Sequence, residues 1–331
     1  MRFLLDDEQR EFARTLDALL GAADVPAVAR AWAAGGPAAG RALWRRVADT
    51  GLFALAVPER FDGVGEHPVE LALACEQLGR HAVPGPYAES LAAASLCAGL
   101  AGSGAAAGKD LLVRLLTGEA VATLGVPGSG AHLLDADAAD AVLVVEEDRS
   151  GVWRLRVAPG HGPVRAGLDA ARRHAAALPG GEVLAEGDAV RDATGHAAAL
   201  ARLATAAQAV GVGRALLDRT VGHVKQRTQF GTPIGSFQAV KHRLADTLIA
   251  LEFARPLVLG AALTLRPADL AAAKAAAGEA AYTAARTALQ LHGAIGYTAE
   301  FDLSLWLTKA RALRGAWGTP GECRADVLAH L

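Results

Sequence analysis

Arg227-Thr-Gln-Phe-Gly-Thr-Pro-Ile-Gly-Ser-Phe-Gln238 is the stretch whose reading decides the fold, and Leu289-Gln-Leu-His-Gly-Ala-Ile-Gly-Tyr297 answers it further along the chain. Both are glycine-rich breaks in otherwise helical sequence. Helical periodicity runs through residues 192–226, 236–264, 267–293 and 302–315, with interruptions at Pro233, Pro267 and Gly293–Gly296. The C-terminal part therefore reads as a helical bundle whose connections carry the unusual residues. Arg227 stands at the end of one helical stretch, where its planar fork of donors can grip a diphosphate as a lysine cannot. Gln238 opens the next, beyond a Gly-Thr-Pro-Ile-Gly turn.

Upstream, the pattern changes twice. From Asp6 to about Leu100 it is helical, punctuated by the loop Val57-Pro-Glu-Arg-Phe-Asp-Gly-Val-Gly65 and by a helix from Val69 that Gly79 and Pro84-Gly-Pro86 are expected to close. Gly102 to Gly108 separates a further short helix. Near Glu119 the character turns to β: Ala120–Val126, Ala141–Val145 and Val152–Val157 read as strands, with turns at Pro127-Gly-Ser-Gly130 and Asp148–Gly151. This gives a mainly α protein with a small β domain, divided as an N-terminal helical domain (1–118), a reduced middle β domain (119–188) and a C-terminal helical bundle (189–331).

Composition excludes several classes. The 331 residues can bury a large core, and 52% apolar content with only 5% aromatic residues reflects the abundance of alanine, the best helix former. Basic and acidic residues (33 and 35) nearly cancel and form no basic tract, which argues against nucleic acid. No uninterrupted apolar run of about 18 residues suggests a membrane helix. The acids in Met1-Arg-Phe-Leu-Leu-Asp-Asp-Glu fall where a signal peptide needs an apolar core. Cys75, Cys97 and Cys323 are scattered, so a reduced cytoplasmic protein without disulfides or structural zinc is expected. The histidines lack metal-ligand spacing, and Gly211-Val-Gly213 lacks the third glycine of a dinucleotide fingerprint.

The blocks, in this order, resemble the acyl-CoA dehydrogenase family over nearly the whole chain. Val57–Gly65 followed by Cys75-Glu-Gln-Leu-Gly79 is similar to its PE-x-x-GG-x-G … E-x-LG pattern. Arg227-Thr-Gln-Phe-Gly231 with Phe237-Gln238 resembles R-x-x-FG … Q, and Gln290–Tyr297 resembles Q-x-x-GG-x-G-[FY]. The resemblance implies FAD as cofactor. It implies that Arg227, Gln229, Phe230 and Gln238 reach a flavin nucleotide held largely by a neighbouring subunit, while Gln290, Gly293 and Ala294 meet its other end. Taken singly, Arg227 is equally a solvated helix end and Gln238 a surface amide; their register with the second block favours the cofactor.

What the family would add is missing. Dehydrogenation at Cα–Cβ needs a carboxylate to take the α-proton beside a hydride acceptor. The family's usual glutamate, in a Tyr-Glu-Gly-Thr turn, aligns with Trp317 of Ala316-Trp-Gly-Thr319; its alternative position, on the first helix of the C-terminal bundle, aligns with Ala201. The flavin-contacting Thr-Glu-Pro-x-x-Gly-Ser segment is reduced to Gly125-Val-Pro-Gly-Ser-Gly130, and Trp153 reads as a packing residue. Glu322 reads as a helix-start carboxylate, Glu300 and Asp302 as structural acids, and His292 as a core or interface histidine. The resemblance thus implies no catalytic residue and no metal here. It implies a non-catalytic subunit in an α2β2 complex whose homologous partner supplies the glutamate and binds the acyl-CoA, with a steroid side-chain ester as the expected acyl group and an electron-transfer flavoprotein or similar acceptor. Two alternatives stand beside it: a self-sufficient homomer with an unconventional base such as Glu322, and a non-redox scaffold.

Overall fold

The computed structural model describes residues 4–102, 108–128 and 132–330. The first three residues, most of the Gly102–Gly108 break and the end of the Pro127–Gly130 turn lie outside them. Eleven α-helices are formed among the described residues: α1 (Asp7–Gly21), α2 (Val25–Ala33), α3 (Ala38–Ala48), α4 (Pro68–Arg80), α5 (Tyr87–Gly102), α6 (Lys109–Leu116), α7 (Asp188–Gln226), α8 (Gln238–Thr264), α9 (Pro267–His292), α10 (Leu303–Gly315) and α11 (Pro320–Ala329). They assemble into two compact units. One comprises residues 1–26, 72–83 and 203–331; the other comprises 27–71 and 84–202.

The first unit is helical. Its centre is α9, whose run of alanines is buried against α8, α10 and α11. Small side chains let these helices approach closely, so packing replaces bulk. Glycine does the same where α4 crosses α7: a Cβ at Gly79 would sit 2.0 Å from the Gln208 carbonyl oxygen, and one at Gly211 1.9 Å from that of Glu76. Gly79 therefore does not close its helix, as the sequence suggested. α4 continues to Arg80, and the glycine is there to admit a neighbouring backbone. Gly213 likewise faces Leu251 and Ala281 and cradles no phosphate. By length and composition alone, α8 would suffice to cross a membrane, the one such helix among the described residues. Glu252 and Arg255 interrupt it, and both are ion-paired within the unit, to Arg214 and Glu76.

The second unit carries the two larger sheets. A four-stranded sheet runs in the order 122–125, 141–147, 153–157, 182–186; the first pair is parallel and the rest antiparallel. A smaller antiparallel sheet orders 133–134, 173–175 and 165–166. α5 packs beside the first strand, where Ser90 Oγ donates to the Ala122 carbonyl at 2.6 Å. Between strands, Asp135 is fully buried: its Oδ1 accepts from Arg173 N at 3.0 Å, while Arg173 Nε donates to Asp137 at 2.8 Å. Burial pushes the Asp135 carboxyl up to about 7 despite the nearby Arg173.

Candidate functional site

The last turn of α7 leads into the first block. Arg227 N donates to the His223 carbonyl at 2.9 Å, and Ile234 N returns to the Arg227 carbonyl at 2.8 Å. Between them the chain reverses in a hairpin, Thr228 paired with Pro233 and Gln229 with Thr232. The tip is Phe230 (φ 53°) and Gly231 (φ 76°), both in the left-handed region that a tight two-residue hairpin demands. Glycine meets that demand freely, but a bulky aromatic does so at a cost. The ring of Phe230 is 93% exposed, with Phe237 edge-on at 6.3 Å. Burial within this unit does not offset the strain.

α8 begins immediately after. Phe237 is its N-cap and contributes no side-chain cap, so the first amides of a 27-residue helix are not met by a capping side chain. The positive end of the helix dipole thus lies at Gln238, beyond the hairpin that follows Arg227. Arg227, Gln229, Phe230 and Gln238 are all exposed, and none of residues 238–246 is buried.

The second block meets the first at the ends of their helices. Gln290 and Ala294 are exposed on either side of Gly293, whose φ of 65° and ψ of −141° close α9. An added Cβ there would touch nothing within 4 Å; the backbone conformation itself calls for glycine. His292, 8% exposed, stacks on His223 with ring centroids 4.1 Å apart. Its Nδ1–H donates to the Ala288 carbonyl at 2.8 Å, so it is a core histidine. Burial lowers the pKa of both rings; for His223, His292 and Arg227 lower it further.

The two positions where the sequence reading expects a base to align carry no carboxylate. Ala201 is fully buried in α7. Trp317 lies in the left-handed region (φ 55°), followed by Gly318 at φ 123°. Beneath this turn Lys274, 1% exposed, donates to the carbonyls of Arg314 (3.2 Å) and Gly318 (3.0 Å). Beyond it, Glu322 Oε2 accepts from Thr319 N and Oγ, each at 2.8 Å, while Glu322 N donates to Thr319 Oγ at 3.3 Å. This is a capping box that starts α11. The helix-start reading of Glu322 holds. Asp302 precedes α10 within the electrostatic reach of Arg219, and Glu300 is exposed.

Two residues escaped the sequence reading. His223 lies one helical turn before Arg227, a spacing that puts both on one face and could have drawn notice. Lys274 is a lone cation among alanines, but nothing local showed that it would be buried. An open cleft lined by Arg14, Asp17, Glu76, Arg80 and Arg214 holds charges already paired with one another or with Glu11, His81, Asp218, Glu252 and Arg255.

Residues 6–119 match the acyl-CoA dehydrogenase N-terminal domain and residues 190–330 its C-terminal domain. The chain is 32% identical over 320 residues to acyl-CoA dehydrogenase IpdE2 of Mycobacterium tuberculosis, covering 95% of each. Among solved structures, the Tcur3481–Tcur3483 steroid ACAD superposes with a TM-score of 0.81 at 24% identity, covering 98% of both chains. The ChsE4–ChsE5 complex of Mycobacterium tuberculosis superposes at 0.79 with 23% identity, covering 100% of this chain and 98% of the other. At such identities, these two likenesses establish the fold.

Proposed function

The chain belongs to the acyl-CoA dehydrogenase family, and on that premise we propose that it is the non-catalytic subunit of a heteromeric FAD-dependent acyl-CoA dehydrogenase. It completes the FAD site of a homologous partner and lacks a base of its own. The observation that carries this reading is an exposed, strained Phe230 beside Arg227 and an uncapped helix start, in a chain with tryptophan and alanine at the base positions. Those groups suit a dinucleotide: a guanidinium fork and open amides for the diphosphate, an aromatic face for stacking, and a glycine turn with free space above it. Bound FAD supplies the hydride acceptor for Cα–Cβ dehydrogenation. Arg227 and the α8 amides hold its negative charge, and Phe230 shields it from water. The partner contributes the glutamate and the acyl-CoA pocket.

A partner of the same fold also accounts for the uncovered side of α8. Ile249 (53%), Phe253 (74%) and Leu257 (46% exposed) recur at helical spacing below the bare 238–246 segment. The likeness to a steroid ACAD and to a two-protein complex supports a steroid side-chain CoA ester as substrate and an α2β2 assembly. An electron-transfer flavoprotein or similar acceptor would reoxidise the complex, and a reducing cytoplasm suits three buried cysteines that form no disulfide. The homomeric alternative loses ground because Glu322 is engaged in its capping box.

The test is the flavin-to-protein ratio and native mass of this chain, alone and co-expressed with a glutamate-bearing homologue. Little flavin alone and one FAD per heterodimer is the expected result; one FAD per chain in a homotetramer would refute the reading. In the complex, Arg227→Ala is expected to weaken flavin retention about a hundredfold, the ~3 kcal/mol of a lost bidentate charged contact.

A further inference from the structure

The two parts of the cofactor-facing surface belong to different helices, and their spacing has to be set by something. Arg227 follows the last turn of α7, and Gln290 and Gly293 frame the end of α9. Between those two ends lies the stack of His223 on His292, at 4.1 Å and an interplanar angle of 24°. His223 is one turn before Arg227 on the same helix face; His292 immediately precedes Gly293. His292 also meets Phe301 at 5.7 Å, the rings tilted by 49°, and its Nδ1–H is fixed to the Ala288 carbonyl. The three rings thus form a short aromatic column that ties one helix end to the other.

We propose that His223 and His292 are positioning residues, whose stack fixes the distance between Arg227 and the Gly293 turn and so matches this surface to a flavin dinucleotide. The proposal rests on the shared-site reading given above. Offset stacking of neutral rings adds to their burial and prefers one separation, whereas two cations in van der Waals contact would repel. Burial lowers the pKa of both rings, and for His223 the neighbouring His292 and the Arg227 guanidinium lower it further, so the surroundings favour the neutral rings that stack. Of the other charges near this column, Arg219 is engaged with the face of Trp306 at 3.7 Å and lies in the field of Asp302. His223 serves through its ring rather than through a hydrogen bond to the protein, which makes phenylalanine a fair replacement.

The experiment uses the chain co-purified with its glutamate-bearing partner and reads the FAD dissociation constant, with thermal stability measured alongside. His223→Ala is expected to weaken FAD binding about tenfold, and His223→Phe to restore it to within about twofold of the parent. A His223→Ala complex that binds FAD as the parent does, while Arg227→Ala loses it, would overturn the positioning role and leave the shared site standing. Failure of His223→Phe to rescue would also overturn it, because the imidazole nitrogens and not the stack would then matter. If Arg227→Ala itself binds FAD normally, the shared-site reading fails and this inference falls with it.

Discussion

Phe230-Gly231 and Trp317-Gly318 share a backbone design: an aromatic residue in the left-handed region, followed by a glycine that is also at positive φ. Both lie in the helical unit, each between two helices. Their surroundings differ. Among the described residues the Phe230 turn is held by its own hairpin and by the edge of Phe237, and Phe230 stands in solvent. The Trp317 turn is fastened from beneath by Lys274 and from its far end by the Thr319–Glu322 capping box, and its ring is half-buried. Strained backbone persists where neighbours over-determine it. At Trp317 those neighbours belong to this chain. At Phe230 this chain supplies fewer of them, and under the proposed reading a second subunit would supply the rest. On the proposed reading, the Trp317 turn would be the scaffold of a base without its carboxylate, and the Phe230 turn the part that serves the cofactor.

The largest effect should come from removing the internal fastening. Lys274→Met keeps the volume of the stem but leaves the Arg314 and Gly318 carbonyls without this donor. Each buried carbonyl stripped of its partner costs about 1–3 kcal/mol, so a loss of about 3 kcal/mol in unfolding free energy is expected by denaturant titration. An unchanged midpoint would show that the Trp317 turn is held by other contacts, and the contrast between the two turns would weaken.

A smaller effect, of opposite sign for the chain and the complex, is expected at the exposed turn. Phe230→Gly removes the left-handed strain, and after the greater backbone entropy of glycine is subtracted the isolated chain should gain about 1 kcal/mol. The complex should at the same time hold flavin less tightly. A chain destabilised by this change would mean that Phe230 is stabilised from within, contrary to its exposure.

How far these turns could be read from sequence differs as well. The bundle was legible because its alanine-rich helices keep a 3.6-residue period between clear breaks, and the resemblance placed Arg227, Gln238 and Gly293 in register. The hairpin at 228–233 was not, since Gln-Phe-Gly-Thr lacks the Asn-Gly or Asp-Gly signal of such a turn. Gly79 read as a stop because only the fold reveals the Gln208 carbonyl packed against it. The small sheet of 133–134, 165–166 and 173–175 has strands too short for any period, and the Asp135–Arg173 contacts that pin it link residues far apart in the chain. Lys274 and His223 belong to the same class: their partners lie on other helices.

The smallest expected effect is the most telling for function. Trp317→Glu introduces a carboxylate where the proposed reading aligns the family's base, on a turn whose backbone is already fastened by Lys274 and by Glu322. A base alone does not catalyse; it must meet an α-carbon held in line with the hydride acceptor. If the partner holds the acyl-CoA, the variant chain should show only background acyl-CoA-dependent reduction of an electron acceptor, and its complex should turn over at the parental rate. A clear gain of turnover by the variant alone would mean that this chain still contains a usable substrate cavity. The two turns would then differ by one side chain rather than by a division of labour between subunits.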